Sequence, residues 1–126
     1  MENDRRQDTH PALRTFSIFI LHVALFSFSL VVAMVVALLS VELFLPGSQS
    51  LKDKRMVLRR VKDRLAKFNV AVAEVEHHDL WQRAGLGIVT IGTTRVHTEQ
   101  ELAAVADEIE RIEPGAITRT EIEFLA

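Results

Sequence analysis

Residues 50–68 read SLKDKRMVLRRVKDRLAKF, and taking them as one amphipathic helix decides how the rest of the chain is read. Leu51, Leu58, Val61, Leu65 and Phe68 recur on one side at helical spacing. Ser50 stands where an N-cap is wanted, with Asp53 three residues on. Lys52, Lys54, Arg55, Arg59, Arg60, Lys62, Arg64 and Lys67 face only Asp53 and Asp63, a net of +6. Three of these cations, Lys52, Lys54 and Arg55, fall in the first turns. There the helix dipole disfavours them by about 0.3–1 kcal/mol each at exposed positions. Lys54 and Lys62 flank Leu58, so their stems are expected along the core and their ammonium groups in water. A helix that breaks local rules without visible compensation invites a functional reading. The plain reading is a solvated charged face.

On the N-terminal side, Met34–Leu45 reads as a buried strand stopped by Pro46-Gly47. After the helix, Asn69–Glu76 carries β-branched Val70, Val72 and Val75 and reads as a second strand. His77–Gln82 connects it to a third, Arg83–Gly92. Gly85, Gly87 and Gly92 match no dinucleotide fingerprint, and close backbone packing is the expected reason for them. Thr98 and Glu101 read as the capping box of a second helix with the stripe Leu102, Val105, Ile109 and Ile112, ended by Pro114-Gly115. Ile117–Leu125 is the last strand, Ile122 and Phe124 buried and Glu121 and Glu123 wet. The order β-α-β-β-α-β gives the fold class: α+β, a ferredoxin-like sandwich with a four-stranded antiparallel sheet and two helices on one face. The other face collects Ser40, Glu42, Glu74 or Glu76, Glu121 and Glu123, and is expected to be acidic or covered.

The chain has 126 residues and a net charge of −2, which argues against a generic nucleic-acid coat. Its distribution is polar. From His97 to Glu123, Arg111 and Arg119 stand against eight acids, a net of −6. With no cysteine, disulfides, thiolate catalysis and zinc–thiolate sites are excluded.

Residues 1–33 form an N-terminal extension to a domain at 34–126. Residues 1–14 are polar and read as a disordered leader. From Phe16 to Leu39 no residue is charged. If the strand at Met34 belongs to the fold, Phe16–Ala33 spans about 27 Å as a helix, marginal for a bilayer core of about 30 Å. Three readings stand: an extension upstream of a true start at Met34, a membrane anchor or uncleaved signal, and an extra packed helix. The expectation is that 34–126 folds without the extension and is cytoplasmic. The alternative is anchoring through Phe16–Ala33, with a membrane as partner only if residues 1–33 are expressed.

No chemistry stands out. The third strand lacks the aromatics on which RNA-recognition motifs stack bases, so nucleic acid is expected on the basic helix. His77, His78 and Asp79 invite a metal reading, but adjacent residues at a strand end point apart, and no metal site or cofactor is expected. Trp81, the only tryptophan, reads as a packing anchor that can also serve as a contact. Asn69 and Arg83 can be cast as an acylphosphatase-like phosphate pair, without spacing to support it; no catalytic residue is assigned.

Leu45-Pro46-Gly47, Ser50 to Arg55, Val72-Ala73-Glu74-Val75 through His77, and Asp79-Leu80-Trp81-Gln82-Arg83-Ala84 carry a resemblance to the bacterial YlxP-like family, a domain of unknown function (number 503). It covers 34 to 126, with His78 where Gln is expected. The resemblance implies a compact cytoplasmic ferredoxin-like protein linked to ribosomes or RNA, and favours a start at Met34. The expected function is a small non-enzymatic binding protein of RNA or a ribosomal subunit. Its candidate RNA-binding residues are Lys52, Lys54, Arg55, Arg59, Arg60, Trp81 and Arg83. The alternative is a protein–protein interaction module or homo-oligomer whose helix meets an acidic surface.

Overall fold

In the computed structural model, which describes residues 34–126, β1 (Val35–Phe44) is an inner strand, with alternate residues Ala37, Leu39, Val41 and Leu43 buried. The turn at Pro46-Gly47 leads to α1 (Leu51–Leu65). The Asp53 N–H donates to Ser50 Oγ at 3.0 Å, and Asp53 Oδ2 accepts from the Gln49 N–H at 3.0 Å, so the N-terminal signal works as read. β2 (Val70–Glu76), β3 (Arg83–Gly92), α2 (Arg95–Ile112) and β4 (Ile117–Phe124) follow. The sheet order is β2-β3-β1-β4 and every neighbouring pair is antiparallel. This is the ferredoxin-like arrangement. Leu58, Val61 and Leu65 of α1 and Leu102, Val105 and Ile109 of α2 join the buried side of β1 and β3 in one core. Burying each such side chain contributes about 1.5–3 kcal/mol. Among the described residues, no helix is long and apolar enough to cross a membrane. The extension at residues 1–33, including Phe16–Ala33, lies outside the described residues.

Several boundaries differ from expectation. α1 stops at Leu65, and Phe68 packs on the core from the following turn. α2 starts at Arg95, capped by Thr94, whose Oγ accepts the His97 N–H at 3.1 Å. Thr98 is therefore a buried residue inside the helix, its hydroxyl donating to the Thr94 carbonyl at 2.7 Å. Glu101 instead accepts the Asn69 N–H at 3.1 Å, tying α2 to the start of β2. β4 is an edge strand, so Ile122 stays 39% exposed and Phe124 is no more than half-buried. The Arg95 guanidinium covers the Phe124 ring at 4.3 Å from its centroid.

A register shift between Glu74 and Glu76 settles which glutamate faces where. Glu74 turns under the sheet toward α1, and Glu76 joins Ser40, Glu42, Arg119 and Glu121 around a cleft on the open face. The glycines of β3 are explained by close approach, as expected. A Cβ at Gly85 would lie 2.8 Å from the Glu76 Cβ, and one at Gly87 3.3 Å from Val75.

Candidate functional site

Lys52, Arg55, Arg59 and Lys62 are exposed on α1. At 100° per residue they fall within an arc of about 80°. Among the described residues none of the four has an acidic partner within 4.0 Å, although exposed Asp63 lies just outside their arc, about 20° beyond Lys52. The other flank of the helix is engaged. Arg60 pairs with Glu113, and Arg64 and Lys67 each approach Glu108 at 3.4 Å. Packing α2 beside α1 thus neutralises one edge of the basic helix and leaves the stripe 52, 55, 59 and 62 to solvent.

Lys54 does not belong to that surface. It is 1% exposed, and its Nζ donates to the carbonyls of His77 at 2.8 Å, Arg83 at 3.2 Å and His78 at 3.4 Å. Glu74 Oε2 lies 2.9 Å away as its counter-charge. The expectation that its ammonium reaches water and contacts phosphate is corrected. The stem does follow the core beside Leu58, but it ends among carbonyls of the β2–β3 loop that point under the sheet. A charge there is tolerated because it is paired and fully hydrogen-bonded.

The same loop carries Trp81 and Arg83. Its Gln82 side-chain amide donates to the carbonyls of Pro46 at 3.2 Å and Ser48 at 3.3 Å, and the Leu45 N–H donates to the Gln82 carbonyl at 2.8 Å. The loop is thereby held against the segment that enters α1. Trp81 is 54% exposed and is not a packing anchor. With Phe44, Leu80 and Arg83 it lines an open groove of about 390 Å³. Of the seven candidates, Lys52, Arg55 and Arg59 share one free face, and Trp81 and Arg83 lie beyond the N-terminal end of their helix. Arg60 is engaged by α2 and Lys54 is internal. Two residues were missed. Lys62 completes the stripe at helical spacing, and Phe44, opposite in parity to buried Leu43, lies exposed on the groove.

Two other constellations do not assemble as read. The Asn69 side chain donates to the Ile91 carbonyl at 3.2 Å, near the end of β3, whereas Arg83 begins that strand. The phosphate pair is therefore split between opposite ends of the sheet. His78 Nε2 lies 3.1 Å from the Glu74 carbonyl oxygen, while His77 faces Glu42 and Glu76, so the two rings do not share a site.

Glu108 is the electrostatic anchor of the helical layer. Buried at 3% exposure, it accepts from Arg111 at 3.0 Å as well as facing Arg64 and Lys67. The Arg111 hydrogen bond, opposed by the desolvation that burial imposes and assisted by Lys67, holds its carboxyl below the usual carboxylate range. A depressed folded-state pKa contributes stability that is present above the unfolded value and lost as pH falls through the folded one. Glu108→Gln is therefore expected to melt at a lower temperature than wild type at neutral pH. That gap should close as both are acidified, in thermal melts followed by circular dichroism.

The profile of the family described as "Protein of unknown function (DUF503)" matches residues 36–122. A protein of Bacillus subtilis (strain 168) described as "Uncharacterized protein YlxP" is 46% identical over 79 residues, covering 57% of this chain and 82% of that protein. Among solved structures, the de novo designed protein Foldit4 is similar with a TM-score of 0.46 at 12% identity, over 74% of this chain and 97% of the design. A C-terminal segment of the alpha subunit of aIF2 from Pyrococcus abyssi is similar with a TM-score of 0.44 at 22% identity, over 78% of this chain and 53% of that one. The profile match runs from β1 into β4, through α1 and the loop that holds Lys54, and the Bacillus relative shares nearly half of the aligned residues; the chain belongs to the DUF503 family.

Proposed function

We propose that the protein is a non-enzymatic RNA-binding protein, acting on free or ribosomal RNA in the cytoplasm. The observation that carries this reading is the stripe of Lys52, Arg55, Arg59 and Lys62. Four cations share one helix face with no acidic partner among the described residues, while the neighbouring Arg60, Arg64 and Lys67 are neutralised by α2. The rise of α1 carries the stripe along about 15 Å, a length that meets several consecutive phosphates. Trp81 and Phe44, exposed in the groove beyond the helix start, supply aromatic faces for an unpaired base, and Arg83 lines the same groove as a further cation. Binding of this kind weakens with salt because each neutralised phosphate releases counterions. The protein is expected to co-sediment with ribosomal subunits or crosslink to RNA at low salt and to be released at high salt. Absence of both at low salt would overturn the reading.

A second reading is supported by the acids of the open face. Glu42, Glu76 and Glu121 line a cleft on the side of the sheet away from α1, so a second copy offers an acidic surface to the stripe. A salt-sensitive dimer that retains no RNA would select it.

A further inference from the structure

We propose that Glu42, Glu76 and His77 form a binding site for a divalent transition-metal ion of the zinc type. The three come together through the topology of the sheet. Glu42 on β1 and Glu76 at the end of β2 are both in register with Gly85 of β3, the strand that separates them. Because Gly85 has no side chain, carboxylates from two strands that are not neighbours meet above it. A Cβ at Gly85 would stand 2.8 Å from the Glu76 Cβ, so any larger residue pushes Glu76 away. His77 then leaves β2 in the left-handed region, φ 63°, and its ring comes to both carboxylates. Its carbonyl is fixed from below by Lys54 at 2.8 Å. Lys54 is in this sense a positioning residue for the imidazole.

The separations come close to those of ligands around an ion. His77 Nε2 is 3.4 Å from Glu42 Oε1 and 3.7 Å from Glu76 Oε2, and the three ligand atoms lie within 4.8 Å of one another. The longer distance is beyond a hydrogen bond. Zinc–nitrogen and zinc–oxygen bonds of about 2.0–2.2 Å in a tetrahedron place neighbouring ligand atoms about 3.3–3.6 Å apart. Among the described residues, neither carboxylate has a Lys or Arg within 4.0 Å; Arg119, cross-strand from Glu42, pairs with Glu121 at 3.3 Å. Two carboxylates and one neutral imidazole balance a divalent charge. The nitrogen donor selects zinc and its transition-metal neighbours over magnesium or calcium. The adjoining cleft, about 270 Å³ and bordered by Ser40, Arg119 and Glu121, leaves room for water as a fourth ligand.

The test uses the purified full chain with Zn²⁺ alone, and with Co²⁺ as a spectroscopic probe. One ion per chain is expected, with the visible spectrum of tetrahedral Co²⁺ displaced by Zn²⁺. E42Q, E76Q and H77N should each raise the dissociation constant at least about tenfold, since losing a ligand is no milder than losing an outer-shell partner. H78N should leave binding unchanged, because that ring faces the Glu74 carbonyl. The two glutamine variants preserve side-chain size, and thermal melts without metal identify which variants are folded. Failure to observe saturable Zn²⁺ binding, or binding that survives E42Q and E76Q, overturns the site.

Discussion

Replacing Lys54 by methionine is expected to cost the fold about 3–5 kcal/mol, the range for breaking a buried ion pair from one side. The substitution keeps the length of the apolar stem and removes only the ammonium group. Glu74, 17% exposed, then holds a negative charge with no counter-charge. The carbonyls of His77, His78 and Arg83 lose the ammonium donor in the same step, and of these His77 keeps the Leu80 N–H at 3.1 Å. Urea denaturation should show a lower midpoint with an unchanged slope, the signature of lost stability rather than of a changed denatured state. A second variant separates charge from hydrogen bonding. In Lys54→Met with Glu74→Leu the unpaired carboxylate is gone, and much of the loss should return. What persists, about 1–3 kcal/mol, belongs to the hydrogen bonds that the ammonium made to those carbonyls. A single-variant loss under about 1 kcal/mol would show that the loop opens to water at little cost, and that Lys54 does not hold it.

Lys54 also marks where sequence reasoning stops. Periodicity made the architecture legible. Period-two burial in β1, the apolar stripes of both helices and the Ser50 cap all follow from spacing along one element. The same spacing placed Lys54 beside Leu58, but it carries no information about what lies at the end of the stem. Whether an ammonium group meets water or carbonyls depends on a loop 23 to 29 residues away. The start of α2 was misplaced for a related reason. Thr94 and Thr98 are equally good caps in isolation, and tertiary packing chose the earlier one by burying Thr98 beside Gly92, where a Cβ would stand 2.9 Å from its hydroxyl. Counting charges gave α1 its +6. It could not show that Glu108 and Glu113 of α2 neutralise one flank, because helix-to-helix pairing is set by the sandwich. The convergence of Glu42, Glu76 and His77 was hidden in the same way, since it needs sheet order, register and a bulge together.

Neutralising the α1 stripe should abolish RNA binding without unfolding the protein. In single-stranded RNA, log affinity falls against log salt with a slope of about −0.7 per phosphate neutralised. If Lys52, Arg55, Arg59 and Lys62 each meet one phosphate, the slope is about −2.8. Affinity then drops about 50-fold between about 50 and 200 mM salt. The quadruple alanine variant should lose that slope as well as the binding, and each single variant should reduce it by about 0.7. All four side chains are exposed with no acidic partner within 4.0 Å among the described residues, so each substitution should move stability by no more than about 0.5 kcal/mol. Arg64→Ala is the matched control. It removes the same charge from the same helix, but from the flank where Arg64 already faces Glu108 at 3.4 Å. Net charge alone makes Arg64→Ala as damaging as Arg59→Ala. An organised stripe makes Arg59→Ala the worse of the two for binding and Arg64→Ala the worse for stability. Equal effects of both variants on RNA affinity, measured at one low salt concentration, would remove the stripe as the binding surface. If RNA affinity survives the quadruple variant, the groove of Trp81 and Phe44 must carry it instead, and Trp81→Ala would then be the damaging change.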